Sequence, residues 1–156
     1  MKTTLKATTT KSEKLILPKI NQMHVATQLS LFLMNKPGTL SNVCHALAGA
    51  NINIIAINIS DSVDHSVVRL VVDNPSAAFR LLESRGTLVI QNEVVMVESK
   101  NQPGMLAGIT DVLAKGNVNI EYAYSAASAT SKSAMVIIRP SNVAQALKAL
   151  NTMNKE

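Results

Sequence analysis

An internal repeat constrains the fold of this chain more than any other feature of its sequence. Residues 35–54 read NKPGTLSNVCHALAGANINI, and residues 101–120 read NQPGMLAGITDVLAKGNVNI. At this offset of 66 residues, 9 of the 20 aligned positions are identical, whereas composition alone would give about one or two. The same offset continues without a gap and pairs Ala78 with Ala144 and Leu81 with Leu147. The repeat therefore predicts two copies of one small unit.

The spacing of apolar residues predicts the element order βαββαβ within the first copy. One helix is expected after Pro37-Gly38, and a second begins at Asn74-Pro75, where Asn caps the helix and Pro occupies its first position. Right-handed crossovers place both helices on one face of an antiparallel sheet, which is the ferredoxin-like arrangement. The predicted strands cover 29–34, 52–59, 66–72 and 87–91.

The second copy repeats this order but lacks its last strand. Its predicted strands are 94–98, 118–124 and 133–138, with helices over 105–115 and 141–150. We therefore predict an α+β chain of two ferredoxin-like βαββαβ units in tandem, with antiparallel sheets and helices on one face. The predicted division is a basic Thr/Lys-rich leader over 1–26, a first domain over 27–92 and a second over 93–156. Residues 14–20, or a partner chain, are expected to cover the bare edge, and Pro18 would restrict such a strand to an edge.

The predicted central strands are apolar on both faces. In the first strand, Leu29, Leu31 and Leu33 alternate with Phe32 and Met34, and Val94 and Met96 likewise alternate with valines. Helices can cover only one face of a sheet. The second face then needs another cover, which predicts a homodimer or a higher homo-oligomer.

Composition and charge exclude several classes of function. The net charge is +5, but residues 1–20 carry five lysines against Glu13, which leaves only +1 for the rest of the chain. Aromatic residues are 3%, too few for a base-stacking surface, so we expect no nucleic acid partner. No apolar run is long enough for a membrane span and no secretory signal is visible, so we expect a cytoplasmic protein.

Residues with catalytic or metal-binding chemistry do not form a recognisable site. Cys44 and His45 are adjacent in a predicted helix, where their side chains diverge, so they cannot act as a nucleophile and base pair. The histidines have no metal-ligand spacing, and the glycines lack the Lys-Ser/Thr ending of a phosphate loop. Tyr122 and Tyr124 alternate on one strand and are expected to pack. We predict no catalytic residue, no metal and no cofactor.

The turn from the first strand to the first helix of each copy is a candidate binding site. Gly38 lets the backbone turn tightly, and the free N–H groups of the helix that follows can bind a carboxylate. Asn53 is expected to enter the next strand beside this loop, where its amide oxygen could accept from an ammonium group. Pro-Gly can also be a simple connector. Backbone donors for a carboxylate and amide oxygens for an ammonium together describe a free amino acid.

The chain resembles the ACT domain family over about residues 27–150. The resemblance rests on Asn35-Lys36-Pro37-Gly38-Thr39-Leu40 with Ala50-Asn51-Ile52-Asn53-Ile54, and on their repeats over 101–106 and 116–120. Members of this family are non-catalytic regulatory modules that bind amino acids at interfaces between domains. The His that serine-sensing members carry before the loop is Leu33 or Ser99 here, which argues against serine. The resemblance implies ligand contacts from Asn35, Pro37, Gly38, Thr39, Leu40 and Asn53, and from Asn101, Gly104, Met105, Leu106 and Asn119.

These observations predict a non-catalytic protein that binds a free amino acid and signals to a partner enzyme or regulator. One alternative is the regulatory small subunit of an amino-acid biosynthetic enzyme of the acetolactate synthase type, although the 66-residue repeat argues against it. Another is an oligomerisation scaffold with a vestigial site, which the sequence does not distinguish from a sensor.

Overall fold

The computed structural model describes residues 19–61, 64–127 and 130–154, which form one antiparallel sheet with helices on one of its faces. The strand order across the sheet is β2-β3-β1-β4-β6-β5. The elements are β1 (Ile20–Met34), α1 (Thr39–Gly49), β2 (Ile54–Asp61), β3 (His65–Val72), α2 (Pro75–Ser84), β4 (Leu88–Lys100), α3 (Met105–Lys115), β5 (Ile120–Ala126), β6 (Ser133–Pro140) and α4 (Val143–Leu150), followed by a 3₁₀ turn (Asn151–Asn154). The predicted fold class is confirmed, and the element order matches the prediction except that two predicted strands are one.

The two units share one sheet because β1 and β4 each serve both of them. The two strands pair along their length, with Thr27 opposite Glu93. These two residues are related by the 66-residue offset, so a pseudo-twofold axis passes between them. The predicted strands over 87–91 and 94–98 are therefore a single strand, β4. The division into domains at residues 92 and 93 stays a prediction, since the sheet runs across it without interruption.

The position of the missing strand in the second unit is occupied by the first half of β1. Residues 20–26 pair with β4 over 94–99, while β3 pairs only with residues 28–34 of β1. The backbone N–H of Ile20 also donates to Oδ1 of Asn154 at 3.0 Å, which ties the start of the strand to the end of the second unit. The edge that we expected residues 14–20 or a partner chain to cover is therefore covered by residues 20–26 of the same chain, most of which follow the predicted segment. Residues 14–18 lie outside the described residues.

Each pair of helices covers its own hydrophobic core. In the first unit α1 and α2 bury leucines of β1 and β3, and in the second unit α3 and α4 bury valines and isoleucines of β4 and β6. The fully buried side chains include Leu29, Leu31, Leu47, Leu70 and Leu82 in the first core, and Val95, Val97, Ile109, Leu113 and Leu150 in the second. Each fully buried aliphatic side chain contributes about 1.5–3 kcal/mol to folding.

The face of the sheet away from the helices is curled, so that the two edge strands approach each other. A cavity of about 500 Å³ is lined by residues from both β2 and β5. Val71, Val94, Met96 and Ile137 form a third buried cluster on this face. The apolar second face of β4 is therefore covered within the chain, which corrects our premise that only a partner could cover Val94 and Met96. Phe32 and Met34 remain exposed, at 39% and 55%.

Candidate functional site

The two Pro-Gly loops have the same backbone geometry. Gly38 has φ 85° and Gly104 has φ 86°, which is the left-handed conformation that glycine adopts without a steric cost. Each glycine immediately precedes a helix. The N–H of Thr39 donates to the carbonyl of Lys36 at 3.3 Å, and the N–H of Met105 donates to that of Gln102 at 3.2 Å. Both loops therefore turn the chain sharply into a helix.

The helices that follow these loops begin without a side-chain cap. The N-cap residues of α1 and α3 are Gly38 and Gly104, which have no side chain that could accept a hydrogen bond from the first turn. By contrast, α2 begins with Asn74 accepting from the N–H of Ala77 at 3.1 Å, as predicted, and Asn142 caps α4 in the same way. Uncapped N–H groups at a helix N-terminus, together with the helix dipole, favour a bound carboxylate.

A small open cavity of about 130 Å³ lies against the first loop. Its lining includes Asn35, Thr39 and Leu40, which we predicted as ligand contacts, together with Ile59 and Ser66 from the neighbouring hairpin. The N–H of Asn35 donates to the carbonyl of Asp64 at 3.0 Å, so the loop is attached to the turn between β2 and β3. Pro37 and Gly38 form the exposed rim of the same turn.

The second loop presents different side chains. Met105, which occupies the place of Thr39, is only 8% exposed and packs in the core of the second unit. Leu106 is 48% exposed. The amide nitrogen of Asn101 donates to the carbonyl of Ser131 at 3.1 Å and so holds the loop against the neighbouring hairpin. At this loop a ligand could contact the backbone of Gly104 and Met105 and the side chain of Leu106, but not the methionine side chain.

Asn53 and Asn119 do not lie beside the loops of their own units. Asn53 exchanges hydrogen bonds with Asp73 at the end of β3, at 3.0 and 3.1 Å. The eight residues of β2 separate it from Asn35, a distance of about 25 Å. Asn119 pairs in the same way with Ser141. The prediction that each asparagine could complete its own loop site is wrong in geometry, because β2 and β5 begin at the end of the unit opposite the loop.

Asn51 and Asn117, also identical in the two repeats, have a structural explanation. Their φ angles are 56° and 54°, a left-handed conformation that asparagine tolerates better than most residues. Each follows the end of a helix, where its N–H donates to the carbonyl of Ala48 or Ala114. These asparagines therefore form the turn into the next strand.

Sequence reasoning missed a polar cluster on the helix-free face. Gln28 of β1 is fully buried, with 0% exposure. Its Nε2 donates to the hydroxyl of Tyr122 at 2.6 Å, and its Oε1 accepts from the hydroxyl of Tyr124 at 2.9 Å. The guanidinium of Arg69 stacks over the Tyr122 ring at 4.3 Å. The available signals were a glutamine just before the apolar run that starts at Leu29 and two tyrosines that alternate on one strand. The contacts between them depend on the curl of the sheet.

Burial changes the ionisation of Tyr124 in this cluster. It raises the pKa of Tyr124 from 10.0 to about 12, because desolvation disfavours the phenolate. Tyr122 raises this pKa further, and the positive charge of Arg69 opposes the shift. The phenol of Tyr124 therefore stays protonated and donates its hydrogen to Gln28 over the whole physiological range.

The described part of the chain contains no group of three His, Cys, Asp or Glu residues that could hold a metal ion. Its helices are all too short or too polar to cross a membrane.

Comparisons with known proteins agree with this geometry. A family model described as an ACT domain pair matches residues 23–155. The structure is similar to that of protein BT0572 from Bacteroides thetaiotaomicron, with a TM-score of 0.78 and 38% identity over 83% of this chain and 89% of that one. The regulatory subunit of aspartate kinase from Thermus thermophilus shares the fold, with a TM-score of 0.63 and 22% identity over 86% of this chain and 97% of that one.

The corresponding subunit from Thermus flavus gives a TM-score of 0.60 and 21% identity, over 86% of this chain and 97% of that one. A search of the curated proteins gives no match. The family match covers most of the chain, including both loops and all six described strands except the first residues of β1. The chain therefore belongs to the ACT domain family, as a protein with a pair of ACT domains.

Proposed function

We propose that this protein is a non-catalytic regulatory protein of the cytoplasm that binds a free amino acid at its Pro-Gly loops and signals to a partner enzyme. The observation that carries the proposal is the pair of uncapped helix N-termini, each preceded by a left-handed glycine, within a pair of ACT domains. The N–H groups of α1 and α3 would bind the carboxylate of the amino acid.

The first loop is the better candidate for the occupied site. Its cavity combines the polar side chains of Asn35, Thr39 and Ser66 with the apolar Leu40 and Ile59. This mixture suits a small zwitterion with a modest side chain. The volume of about 130 Å³ is below the range typical of enclosed ligand pockets, so another surface is needed to close it.

A second copy of the chain could supply that surface. The edge strand β2 exposes Ile55, Ile57 and Ile59 at 50%, 44% and 47%, and an exposed apolar edge is a template for pairing with another strand. Ile59 also lines the loop cavity. Pairing through β2 would therefore bring a second subunit next to the ligand. Homo-oligomerisation on this edge is part of the proposal.

The partner enzyme is suggested by solved structures of similar fold. Two of these structures are regulatory subunits of aspartate kinase, so an amino-acid kinase of that kind is the first candidate partner to test by co-purification. A ligand transmits a signal to such a partner only if it binds one arrangement of the subunits more tightly than another.

The test is to measure thermal unfolding with each of the twenty amino acids in turn. Unfolding is monitored by circular dichroism, because the chain has no tryptophan for fluorescence. A ligand at one hundred times its dissociation constant adds about 2.7 kcal/mol, which raises the melting temperature of a domain of this size by roughly 5–10 °C. We expect one amino acid, or one chemically related group, to give this shift. A flat panel with the chain alone and with its partner would leave the scaffold alternative as the better account.

A pair of threonine variants tests the position of the site. Thr39→Val removes a hydroxyl from the loop cavity with little change in volume and is expected to reduce the shift. Thr110→Val is the matched control, because the hydroxyl of Thr110 bonds to carbonyls of its own helix at 2.9 and 3.0 Å. An equal shift in both variants would show that the amino acid binds somewhere other than the first loop.

A further inference from the structure

We propose that the helix-free face carries a second small-molecule site, which binds a carboxylate with an apolar chain. A cavity of about 320 Å³ lies there, lined by residues of β1, β3, β4, β5 and β6. This volume is at the lower end of the range for ligand pockets and suits a molecule of amino-acid size. Its lining shares no residue with the cavity at the first loop, so the site is independent of the one proposed above.

The charges of this cavity favour an anion. Its lining contains the cations Arg69 and Arg139 and the anion Glu121, which leaves a net charge of +1. Glu121 is already paired with Arg139, at 3.3 Å between Oε2 and Nε. Arg69 has no carboxylate within 4 Å among the described side chains. Its charge is therefore available to a ligand.

Arg69 is held in place by groups that leave this charge uncompensated. Its Nη1 donates to the hydroxyl of Ser60 at 2.7 Å, and its guanidinium plane lies on the Tyr122 ring. An arginine fixed in this way presents its remaining N–H groups at a defined position, and a planar guanidinium matches a carboxylate well. Because the stacking already orders the Arg69 side chain, less conformational entropy is lost when a ligand binds.

A hydroxyl donor lies next to Arg69. The oxygen of Tyr122 accepts from Nε2 of Gln28 at 2.6 Å, so the orientation of this hydroxyl is set and its own hydrogen can point to an acceptor in the cavity. Ser30 and Asn92 add further polar groups to the lining. Arg69 and Tyr122 together would bind the two oxygens of a carboxylate.

The other end of the cavity is apolar. Phe32, Val67 and Ile90 line it, and Phe32 and Ile90 are 39% and 46% exposed. Covering such surface favours binding, because it removes apolar area from water. A ligand with a carboxylate at one end and a branched hydrocarbon at the other matches both ends of the cavity, whereas a highly charged ligand such as a nucleotide would leave the apolar end exposed.

The probe is isocaproate, which has a carboxylate and a branched apolar chain, and its binding is followed by calorimetry or by NMR shifts of the full chain. Isohexanol has the same chain without the charge and is the matched control. We expect isocaproate to bind and isohexanol not to bind measurably. Leucine, the amino acid with a similar chain, distinguishes an amino acid from a simple carboxylic acid as the natural source. No binding of isocaproate, or equal binding of the alcohol, would overturn the proposal.

Variants test the assignment of the site to Arg69. Arg69→Gln should weaken isocaproate binding about ten- to hundredfold, the effect of losing charge-assisted hydrogen bonds. Arg80→Gln is the matched control, since Arg80 is an exposed arginine on α2 that lies outside the cavity. Equal weakening by both variants would indicate a nonspecific charge effect and refute the site.

Two more variants keep the outcome interpretable. Tyr122→Phe retains the ring under Arg69 and removes only the hydroxyl, so it should weaken binding less than Arg69→Gln while leaving the fold intact by circular dichroism. Thr39→Val should leave isocaproate binding unchanged. Loss of binding in Thr39→Val would assign the ligand to the first loop instead, and a failed amino-acid panel would leave this second site unaffected.

Discussion

The buried glutamine of β1 offers the sharpest test of the curled sheet. Gln28 is fully buried and bonds to two tyrosine hydroxyls of β5, a strand that lies three positions away across the sheet. These contacts exist only because the sheet curls. Gln28→Met keeps the length of the side chain but removes the hydrogen bonds to both tyrosine hydroxyls. The resulting loss in the free energy of unfolding therefore measures how strongly β5 is held over the helix-free face.

The magnitude follows from the two bonds. A neutral hydrogen bond contributes about 0.5–1.5 kcal/mol, and its loss costs about 1–3 kcal/mol when a partner is left buried and unpaired. Losing the bonds to Tyr122 and Tyr124 costs about 2–3 kcal/mol, and the apolar methionine side chain recovers part of this by being easier to bury. The net loss of about 2 kcal/mol should lower the melting temperature by roughly 4–8 °C.

Thermal unfolding followed by circular dichroism measures this loss. Gln22→Met is the matched control, because Gln22 is exposed on the same strand, and it should change stability by less than about 0.5 kcal/mol. Adding Tyr122→Phe and Tyr124→Phe to Gln28→Met removes the orphaned hydroxyls as well, and the triple variant should recover most of the stability. Equal melting of the two glutamine variants, or additive losses in the triple variant, would refute the reasoning.

Three further predictions concern the backbone conformation at Gly38, the ionisation of Tyr124 and the packing of the first residue of β1. Gly38→Ala should lower the free energy of unfolding by about 1 kcal/mol, because φ is 85°; no steric clash adds to this cost, since the added Cβ meets no atom within 4 Å. Gly49→Ala, within α1, is the control and should be neutral or stabilising. Equal melting temperatures of the two variants would contradict this. The Tyr124 phenol should titrate near pH 12 by ultraviolet absorbance. Since its pKa is raised on folding, its contribution to stability should be complete below pH 10 and lost as the pH rises towards 12; a normal titration would contradict the burial. Ile20→Ala should cost about 2–4 kcal/mol in denaturant unfolding, because Ile20 is 3% exposed, while Val25→Ala at 38% exposure should cost much less.

The fold was largely predictable because the repeat and the local signals agree. The duplicated segment contains a strand, a breaker, a helix and a second strand, each with its own periodicity, and the structure places α3 over the predicted residues 105–115. The predicted cap at Asn74 is also formed. Local signals of this kind do not depend on the rest of the chain, so agreement between the two copies makes them reliable.

The site was predictable only in part, because it depends on distance in space. The sequence predicted the loop glycines correctly as turn residues, but it could not show that β2 begins at the far end of the unit and carries Asn53 away from the loop. Likewise the alternation of Tyr122 and Tyr124 predicts a shared face but not their contact with Gln28. Met105 has the sequence position of Thr39, yet it turns into the core of its unit, a difference that only packing decides.

The strand that completes the second unit can be predicted from the repeat itself. Extending the offset of 66 residues backwards aligns residues 22–27 with residues 88–93, which belong to the fourth strand of the first unit. The missing fourth strand of the second unit therefore precedes the first unit in the chain. Its apolar pattern is weak because residues 20–27 pair with β4 alone, while residues 28–34 also pair with β3. A strand with one free edge tolerates polar residues such as Gln22 and His24, so hydrophobicity underestimates it, whereas the repeat predicts it whatever its composition.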